Sequence, residues 1–196
     1  MMRRQITVAE ITETAVRLAD EQGLDQVNLS RIAERLGIKK QSLYNHIEGL
    51  EDVKCSMVIY ACGQLRTVLT EAAVGQSREN AVFSVAYAYR KFAHEHSGQY
   101  QVIMTESWKY KKDEKLKFAI HLFMQVIRKV LSQYDLHDIE LTHAVRGLRS
   151  MMHGFVSLEA SGWFQNPTDT SESYQQLIKT YISGVEAWEI QKKYEE

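Results

Sequence analysis

Apolar residues recur every three or four positions along almost the whole chain, which is the spacing of one face of an α-helix. Ile11, Ala15 and Leu18 begin the first such stretch, behind Thr7 and Glu10 at the spacing of a capping box. No stretch rich in Val, Ile and Thr shows the alternation expected of a strand. One proline and ten glycines in 196 residues also favour long helices with short connections. The pattern predicts an all-α protein.

The predicted helices fall into two groups. Three short ones lie before residue 50, at about 8–22, 28–36 and 40–46, and the acidic segment 48–52 follows them. Longer ones are predicted at about 52–73, 79–96, 138–160 and 173–192, with a short one at 100–104. The charged run 109–117 leads into a further apolar helix that continues to about residue 130. This grouping predicts a three-helix head in residues 1–50 and a larger helical domain in residues 51–196.

The segment from Asn28 to Ile47 is the most informative part of the chain. Ala33 is small where two helices must approach closely, Gly37 suits a turn with positive φ, and Leu43 can fill the angle between the helices. This predicts a helix-turn-helix whose second helix presents a polar face to a DNA major groove. Plain helix packing is the alternative. The candidate DNA-binding residues are Asn28, Ser30, Lys39, Lys40, Gln41, Ser42, Tyr44, Asn45 and His46.

The order Leu-Ser-Arg-Ile-Ala-Glu-Arg-Leu-Gly-Ile at 29–38, followed by Ser-Leu-Tyr-Asn-His-Ile at 42–47, resembles the TetR family of bacterial repressors. The resemblance covers residues 6 to about 54. It implies a DNA-binding head on a helical ligand-binding and dimerisation body, and a homodimer that leaves its double-stranded DNA operator when a small apolar effector binds. The string 151–159, followed by Gly162-Trp163-Phe164, resembles the WHG-type subgroup of TetR C-terminal domains, with Met152 replacing the tryptophan of that name.

The sequence departs from the family at one place. Members often carry a lysine shortly after the recognition helix that touches the DNA backbone, and Leu50 stands near that place here. Lys54, Arg3 and Arg4 are the candidates to replace it.

The two long C-terminal helices carry more apolar residues than one buried stripe needs, which indicates pairing with a second copy of the chain. The alternative is that both helices close the core of their own subunit. The candidate dimer residues are Leu141, Val145, Leu148, Met152, Gly154, Phe155, Leu177, Tyr181, Val185 and Trp188.

Apolar and aromatic residues of the helical body are candidates to line an effector cavity, although each is also consistent with plain core. They are Tyr60, Tyr87, Met104, Trp108, Phe123, Met151 and Phe155.

Charge, cysteine spacing and histidine spacing limit which partners, locations and metal sites are expected. The net charge of −1 gives no global support for nucleic-acid binding, so that prediction rests on the local segment. Cys55 and Cys62 are too far apart on one helix to bridge, and no signal peptide or membrane span is recognisable, which predicts a cytoplasmic protein. His94 and His96 do not share a helix face, so no metal or cofactor is expected.

The chain has no Gly-rich phosphate loop, nucleophile elbow or cysteine in a basic setting, so no enzyme is predicted. Two other classes stay open. One is a helical dimer that binds a ligand or a protein without reading a specific operator. The other is a helical enzyme that uses a pocket in the body.

Overall fold

The computed structural model describes the backbone of residues 6–195 and the side chains of residues 6–191. This part of the chain is helical and contains no strand, so the all-α prediction is confirmed. No helix in it is long and apolar enough to cross a membrane. The α-helices are α1 (Val8–Gln22), α2 (Leu29–Leu36), α3 (Lys40–Leu43), α4 (Leu50–Ala73), α5 (Arg78–Glu95), α6 (Ser97–Glu106), α7 (Glu114–Leu131), α8 (Asp138–Ala160) and α9 (Thr170–Glu195), and short 3₁₀ helices span Leu24–Gln26 and Ser107–Tyr110.

Local side chains explain where the helices begin. The Thr7 hydroxyl accepts the Glu10 backbone N–H at 3.2 Å, and the Glu10 carboxylate accepts the Thr7 N–H at 3.0 Å, which is the predicted capping box. α8 has the predicted bounds. α9 begins three residues before the predicted start, where the Asp169 carboxylate accepts the Ser171 N–H at 2.7 Å.

The chain forms two compact units. The first contains residues up to Leu65 together with Glu95–His121, and the second contains Arg66–His94 and Leu122–Glu196. Ile11, Ile32 and Leu43 are fully buried in the core of the first unit. The described residues of the predicted head lie within this unit. Assignment of all of 51–196 to a single ligand-binding and dimerisation domain stays a prediction.

α1 and α6 touch through their backbones in the first unit. A Cβ atom placed on Gly98 would lie 2.3 Å from the carbonyl carbon of Ala19 and 2.5 Å from the backbone nitrogen of Asp20. The Asp20 carboxylate accepts hydrogen bonds from the backbone N–H of Gln99 at 2.9 Å and from its side chain at 2.8 Å. Asp20 therefore caps the beginning of α6 and fixes that helix to the end of α1.

An ion-pair cluster ties three helices together in the second unit. The Arg90 guanidinium on α5 holds the Glu159 carboxylate on α8 through Nε at 2.9 Å and through a second nitrogen. The same guanidinium donates to the hydroxyl of Thr170 on α9, and His94 Nε2 lies 2.8 Å from Glu159. Hydrogen bonding to Arg90 lowers the pKa of Glu159 to about 2.

This cluster predicts how stability depends on pH. Because the folded state lowers the pKa of Glu159 below its ordinary 4.5, its stabilising contribution is complete above pH 4.5 and is lost as the pH falls towards 2. Glu159→Gln should lower the free energy of unfolding at pH 7 by about 3 kcal/mol, since it leaves Arg90 without its partner. The loss should shrink between pH 5 and pH 2 in urea titrations. Glu172→Gln, which changes an exposed carboxylate on α9, should have the same free energy of unfolding as the wild type at each pH. The prediction is contradicted if the free energy of unfolding of Glu159→Gln equals that of the wild type over the whole pH range.

Candidate DNA-binding surface

The first helix of the predicted motif begins at Asn28. Its backbone is extended, with φ −147° and ψ 160°, and its side-chain oxygen accepts the Arg31 N–H at 3.1 Å, the geometry of an N-cap. The side-chain nitrogen donates to the carbonyl of Gln26 at 3.2 Å. Asn28 is exposed, as expected of a DNA-binding residue, but both ends of its amide are already used inside the head.

The turn between α2 and α3 depends on Gly37. Its φ of 67° and ψ of 33° place it in the left-handed region, where a side chain is strained. The N–H groups of Gly37 and Ile38 donate to the carbonyls of Glu34 and Ala33, both at 3.0 Å, and so close the last turn of α2. A Cβ on Gly37 would meet no atom within 4 Å. The backbone angle, rather than crowding, therefore requires glycine here.

α3 is shorter than predicted. It begins at Lys40 as expected, but it ends at Leu43, and Tyr44, Asn45 and His46 form a turn instead of continuing the helix. The Tyr44 N–H bonds to the carbonyl of Gln41, three residues back, at 3.3 Å, which tightens the chain at this point.

Most of the polar residues predicted to meet DNA are exposed. Leu43 and Ile47, in contrast, are 0% and 5% exposed and anchor the motif in the core. The exposed candidates are Asn28, Ser30, Lys39, Lys40, Gln41, Tyr44 and Asn45, and the half-buried ones are Ser42 and His46. The candidate residues around α3 are therefore accessible, and their contact with DNA stays a prediction.

The positive charge of this surface comes from two lysines. Arg35 of α2 pairs with Glu21 at 2.6 Å, and Arg31 donates to the side chain of Gln22 at 2.8 Å, so both arginines are held against α1. Lys39 and Lys40 are exposed and have no ion pair within residues 6–191. They are free to approach phosphate oxygens or base edges.

Lys54 is engaged elsewhere. Its ammonium group lies 3.7 Å from the buried carboxylate of Glu106 and 3.9 Å from Glu51, and its side chain is 19% exposed. Lys54 would have to leave Glu106 to reach a DNA phosphate. Leu50, which stands near the place of the family lysine, is the first residue of α4. Arg3 and Arg4, the other candidates to replace that lysine, lie outside the described residues.

A hydrogen bond and ion pairs fix the beginning of α4 to the segment after α6. The hydroxyl of Tyr110 donates to Glu51 at 2.6 Å, and burial together with this carboxylate raises the pKa of Tyr110, so the phenol stays protonated. Lys109 donates to both oxygens of Glu106 at 2.8 and 2.9 Å. The carboxylates of Glu51 and Glu106 therefore both have partners, and these contacts join the first turns of α4 to the end of α6 and the segment after it.

The seven effector-cavity candidates do not meet in one unit. Tyr60, Met104 and Trp108 belong to the first unit, and Trp108 is 67% exposed. The other four, Tyr87, Phe123, Met151 and Phe155, belong to the second unit. Of these, Phe155 lines a cavity of about 350 Å³ together with Trp163 and Phe164.

The dimer candidates divide by exposure within the subunit, and their assignment to an interface stays a prediction. Leu141, Val145, Leu148, Met152 and Val185 are at most 8% exposed because they pack inside their own subunit, so their side chains offer almost no surface to a partner. The half-buried candidates are Gly154, Phe155, Leu177 and Tyr181, and Trp188 is 44% exposed. The Tyr181 hydroxyl donates to the carbonyl of Ala144 on α8 at 2.7 Å, another contact within the subunit.

Sequence reasoning did not find the residues that hold the head in place. The sequence predicts that one helix ends at about residue 96 and the next begins at about residue 100, whereas α6 begins at Ser97 and Gly98 is the contact point with α1. A glycine followed by a helical apolar pattern is a signal for close helix approach, but its partner cannot be identified from spacing. Nothing in the sequence indicated the ion pair of Lys54 with Glu106.

Comparison with known proteins agrees with this architecture. Residues 11–47 match the family described as bacterial regulatory proteins, tetR family, which spans α1 to the end of the recognition segment. Residues 82–181 match the tetracyclin repressor-like C-terminal domain, and this range contains the string 151–159. These families are of transcription regulators, not enzymes.

Individual relatives cover nearly the whole chain. An uncharacterised HTH-type transcriptional regulator of Mycobacterium tuberculosis, Rv0681, is 31% identical over 90% of this chain and 80% of its own length. An uncharacterised HTH-type transcriptional regulator of Bacillus subtilis, YobS, is 28% identical over 92% of this chain and 93% of its own. A Rhodococcus protein of unknown function shares the fold with a TM-score of 0.81 at 15% identity, over 94% of this chain and 98% of its own. The chain therefore belongs to the TetR family of DNA-binding transcription regulators.

Proposed function

We propose that the protein is a cytoplasmic repressor that binds a double-stranded DNA operator as a homodimer and leaves it when a small apolar effector binds. The observation that carries the proposal is the uncommitted polar surface around α3. Lys40, Gln41 and Tyr44 are exposed there, while Leu43 beneath them fixes the backbone in the core. A helix-turn-helix places the beginning of its second helix at the base edges of the major groove.

The homodimer is supported by the outward surfaces of α8 and α9. Small or polar residues recur there at helical spacing, and small side chains allow helices to approach closely. They are Ser150, Gly154 and Ser157 on α8, and Thr180, Ser183, Gly184 and Ala187 on α9, with Leu158 and Trp188 exposed beside them. Pairing each helix with its copy across a two-fold axis would form a four-helix bundle and would present two heads to one operator.

The effector acts, in this proposal, by changing the balance between two arrangements of the heads. A ligand shifts such an equilibrium only as far as its affinities for the two states differ. The bound effector would favour the arrangement in which the two recognition surfaces no longer match successive major grooves.

Base reading by Gln41 gives the direct test of this proposal. Gln41 is exposed in the first turn of α3, where a glutamine amide can bond to both N6 and N7 of adenine. Gln41→Ala should lose about 1–3 kcal/mol of discrimination at one base step in each half-site. The measurement is binding to an operator and to its single-base variants at a fixed salt concentration.

Tyr44→Phe is the matched control on the same surface. Tyr44 is 52% exposed, and its hydroxyl can reach a DNA phosphate. Loss of that hydroxyl should weaken binding to all sequences about equally, because a phosphate contact carries no sequence information. If Gln41→Ala instead weakens binding to all sequences equally, the Gln41 side chain contacts only the DNA backbone. Selective loss at one base in Tyr44→Phe would instead indicate a hydrogen bond between the Tyr44 hydroxyl and a base edge.

One observation favours a second function, a helical dimer that binds a ligand or a protein without reading an operator. The lysine nearest to the expected backbone contact, Lys54, is paired with Glu106, and Glu48, Glu51 and Asp52 add negative charge close by. A salt titration separates the two functions. Specific binding requires an affinity for one sequence well above the affinity for random DNA at the same salt concentration.

A further inference from the structure

The second unit contains a groove between the end of α4 and α7. It has a volume of about 470 Å³, within the range of small-molecule sites. Ala73 of α4 and Leu122, Val126 and Val130 of α7 form its apolar floor, and Val130 is 3% exposed. Val74, also in the lining, is 72% exposed. The groove therefore offers an open aliphatic surface, and Thr70, Gln76, Gln125 and Gln133 add polar groups to its lining.

The charges around this groove have one sign. Arg66 and Lys129 line it, and no acidic residue does. Neither side chain has a hydrogen bond or an ion pair with any residue in 6–191. Three arginines of the same unit, Arg78, Arg90 and Arg128, differ from them because each holds a carboxylate at 2.9 Å or less. Two unpaired cations beside an apolar floor leave positive charge without a partner, and that favours an anionic ligand.

We propose that this groove binds a single-chain aliphatic carboxylic acid, with the chain along the floor and the carboxylate at Arg66 or Lys129. A guanidinium or ammonium group bonds to a carboxylate more strongly than to a neutral head group. The apolar chain gains free energy by leaving water for the exposed floor. The proposal deepens the proposed function and rests on it, because it identifies the chemical class of the effector.

The position of the groove gives the ligand a physical route to the DNA-binding surface. Arg66, Thr70, Ala73 and Val74 are on α4, the helix that begins at Leu50 directly after the recognition segment. A helix is a stiff element, so a ligand that shifts one end of α4 also biases the other end. The ligand acts only if it binds the two arrangements of the protein with different affinities.

The test uses the full-length protein and dodecanoate, below the concentration at which this acid forms micelles. Titration calorimetry should show saturable binding of dodecanoate. Dodecanol and dodecyltrimethylammonium have the same chain with a neutral and a positive head group, and they should bind at least tenfold more weakly. Equal binding of dodecanol, or no binding of dodecanoate, would overturn the proposal.

Three variants locate the site. Arg66→Gln and Lys129→Gln each remove one cation, and at least one of them should weaken dodecanoate binding about tenfold. Val74→Glu adds a carboxylate at an exposed position, so the fold is unaffected while an anion is repelled. Lys115→Gln removes an exposed lysine at the start of the same helix, α7, outside the groove, and should bind as the wild type. Unchanged affinity for dodecanoate in all three groove variants would overturn the location of the site. Tighter binding of a cationic amphiphile or of an apolar peptide than of dodecanoate would overturn the proposed ligand class.

A separate readout keeps this inference distinct from the proposed function. Calorimetry without DNA reports only the groove, while release of the protein from operator DNA reports regulation. Binding that depends on Arg66 or Lys129 without release would support the groove as an acid site and contradict its role as the effector site. Release that survives Val74→Glu would overturn the groove as the place where the effector acts.

Discussion

Gly154→Trp should give a folded monomer whose affinity for operator DNA is at least about 100-fold lower. A Cβ on Gly154 meets no atom of its own subunit within 4 Å, and the residue lies on α8 beside the exposed Leu158. The new side chain therefore starts in open space within the subunit, and the replacement of glycine also favours a helix. In the proposed dimer it would separate helices that approach closely at small residues. One head without the other loses the gain from simultaneous binding to two half-sites, which is commonly 10²–10⁴-fold.

Sedimentation velocity, circular dichroism and operator titration measure the three parts of this prediction. Gly154→Ala should stay dimeric because a methyl group fits the open space. Gln101→Trp places the same indole at an exposed position on α6 and should change neither the mass of the assembly nor DNA binding. A Gly154→Trp protein that sediments as a dimer and binds operator normally would show that α8 does not form the interface.

Gly98→Ala should lower the free energy of unfolding by about 3 kcal/mol. The added methyl group would lie 2.3–2.5 Å from backbone atoms of Ala19 and Asp20, which cannot move aside as a flexible side chain can. Overpacking of this kind commonly costs 1–3 kcal/mol. Separation of α1 from α6 would also strain the hydrogen bonds from Gln99 to Asp20. Urea unfolding followed by circular dichroism measures the loss.

Gly63→Ala is the matched control for this substitution. Gly63 is inside α4 of the first unit, and a Cβ there meets no atom within 4 Å. Alanine forms helices more readily than glycine, so this variant should be more stable than the wild type by about 0.5–1 kcal/mol. Opposite signs for the two substitutions would identify close approach, rather than loss of glycine, as the cause. A neutral Gly98→Ala would mean that α1 and α6 do not pack as described.

Hydrophobic periodicity was enough to predict the helices and most of their ends. Thr7, Asn28 and Gly37 act through their immediate neighbours, so capping and the left-handed turn could be inferred from local sequence. The bounds of α8, a long amphipathic helix, were predicted for the same reason.

Contacts between distant residues could not be inferred in this way. Leu148 and Met152 are on a stripe that is equally suited to a dimer interface or to the core, and only the packing of the subunit shows that both are buried. The pairing of Lys54 with Glu106 and of Arg90 with Glu159 joins residues 52 and 69 positions apart, which no spacing rule predicts. Likewise, only the structure shows that the side chains of Arg66 and Lys129 have no hydrogen bond or ion pair with residues 6–191.

Selection of binding sites from random double-stranded DNA is the most direct test that the exposed surface of α3 reads an operator as a dimer. The full-length protein should enrich one sequence with two-fold symmetry, bound by two chains, whose half-sites are about one helical turn or a multiple of it apart. A variant with Lys39, Lys40 and Gln41 all replaced by alanine should enrich nothing while it keeps the circular dichroism spectrum of the wild type. Enrichment of the same sequence by that variant, or no enrichment by the wild type at low salt, would contradict the assignment.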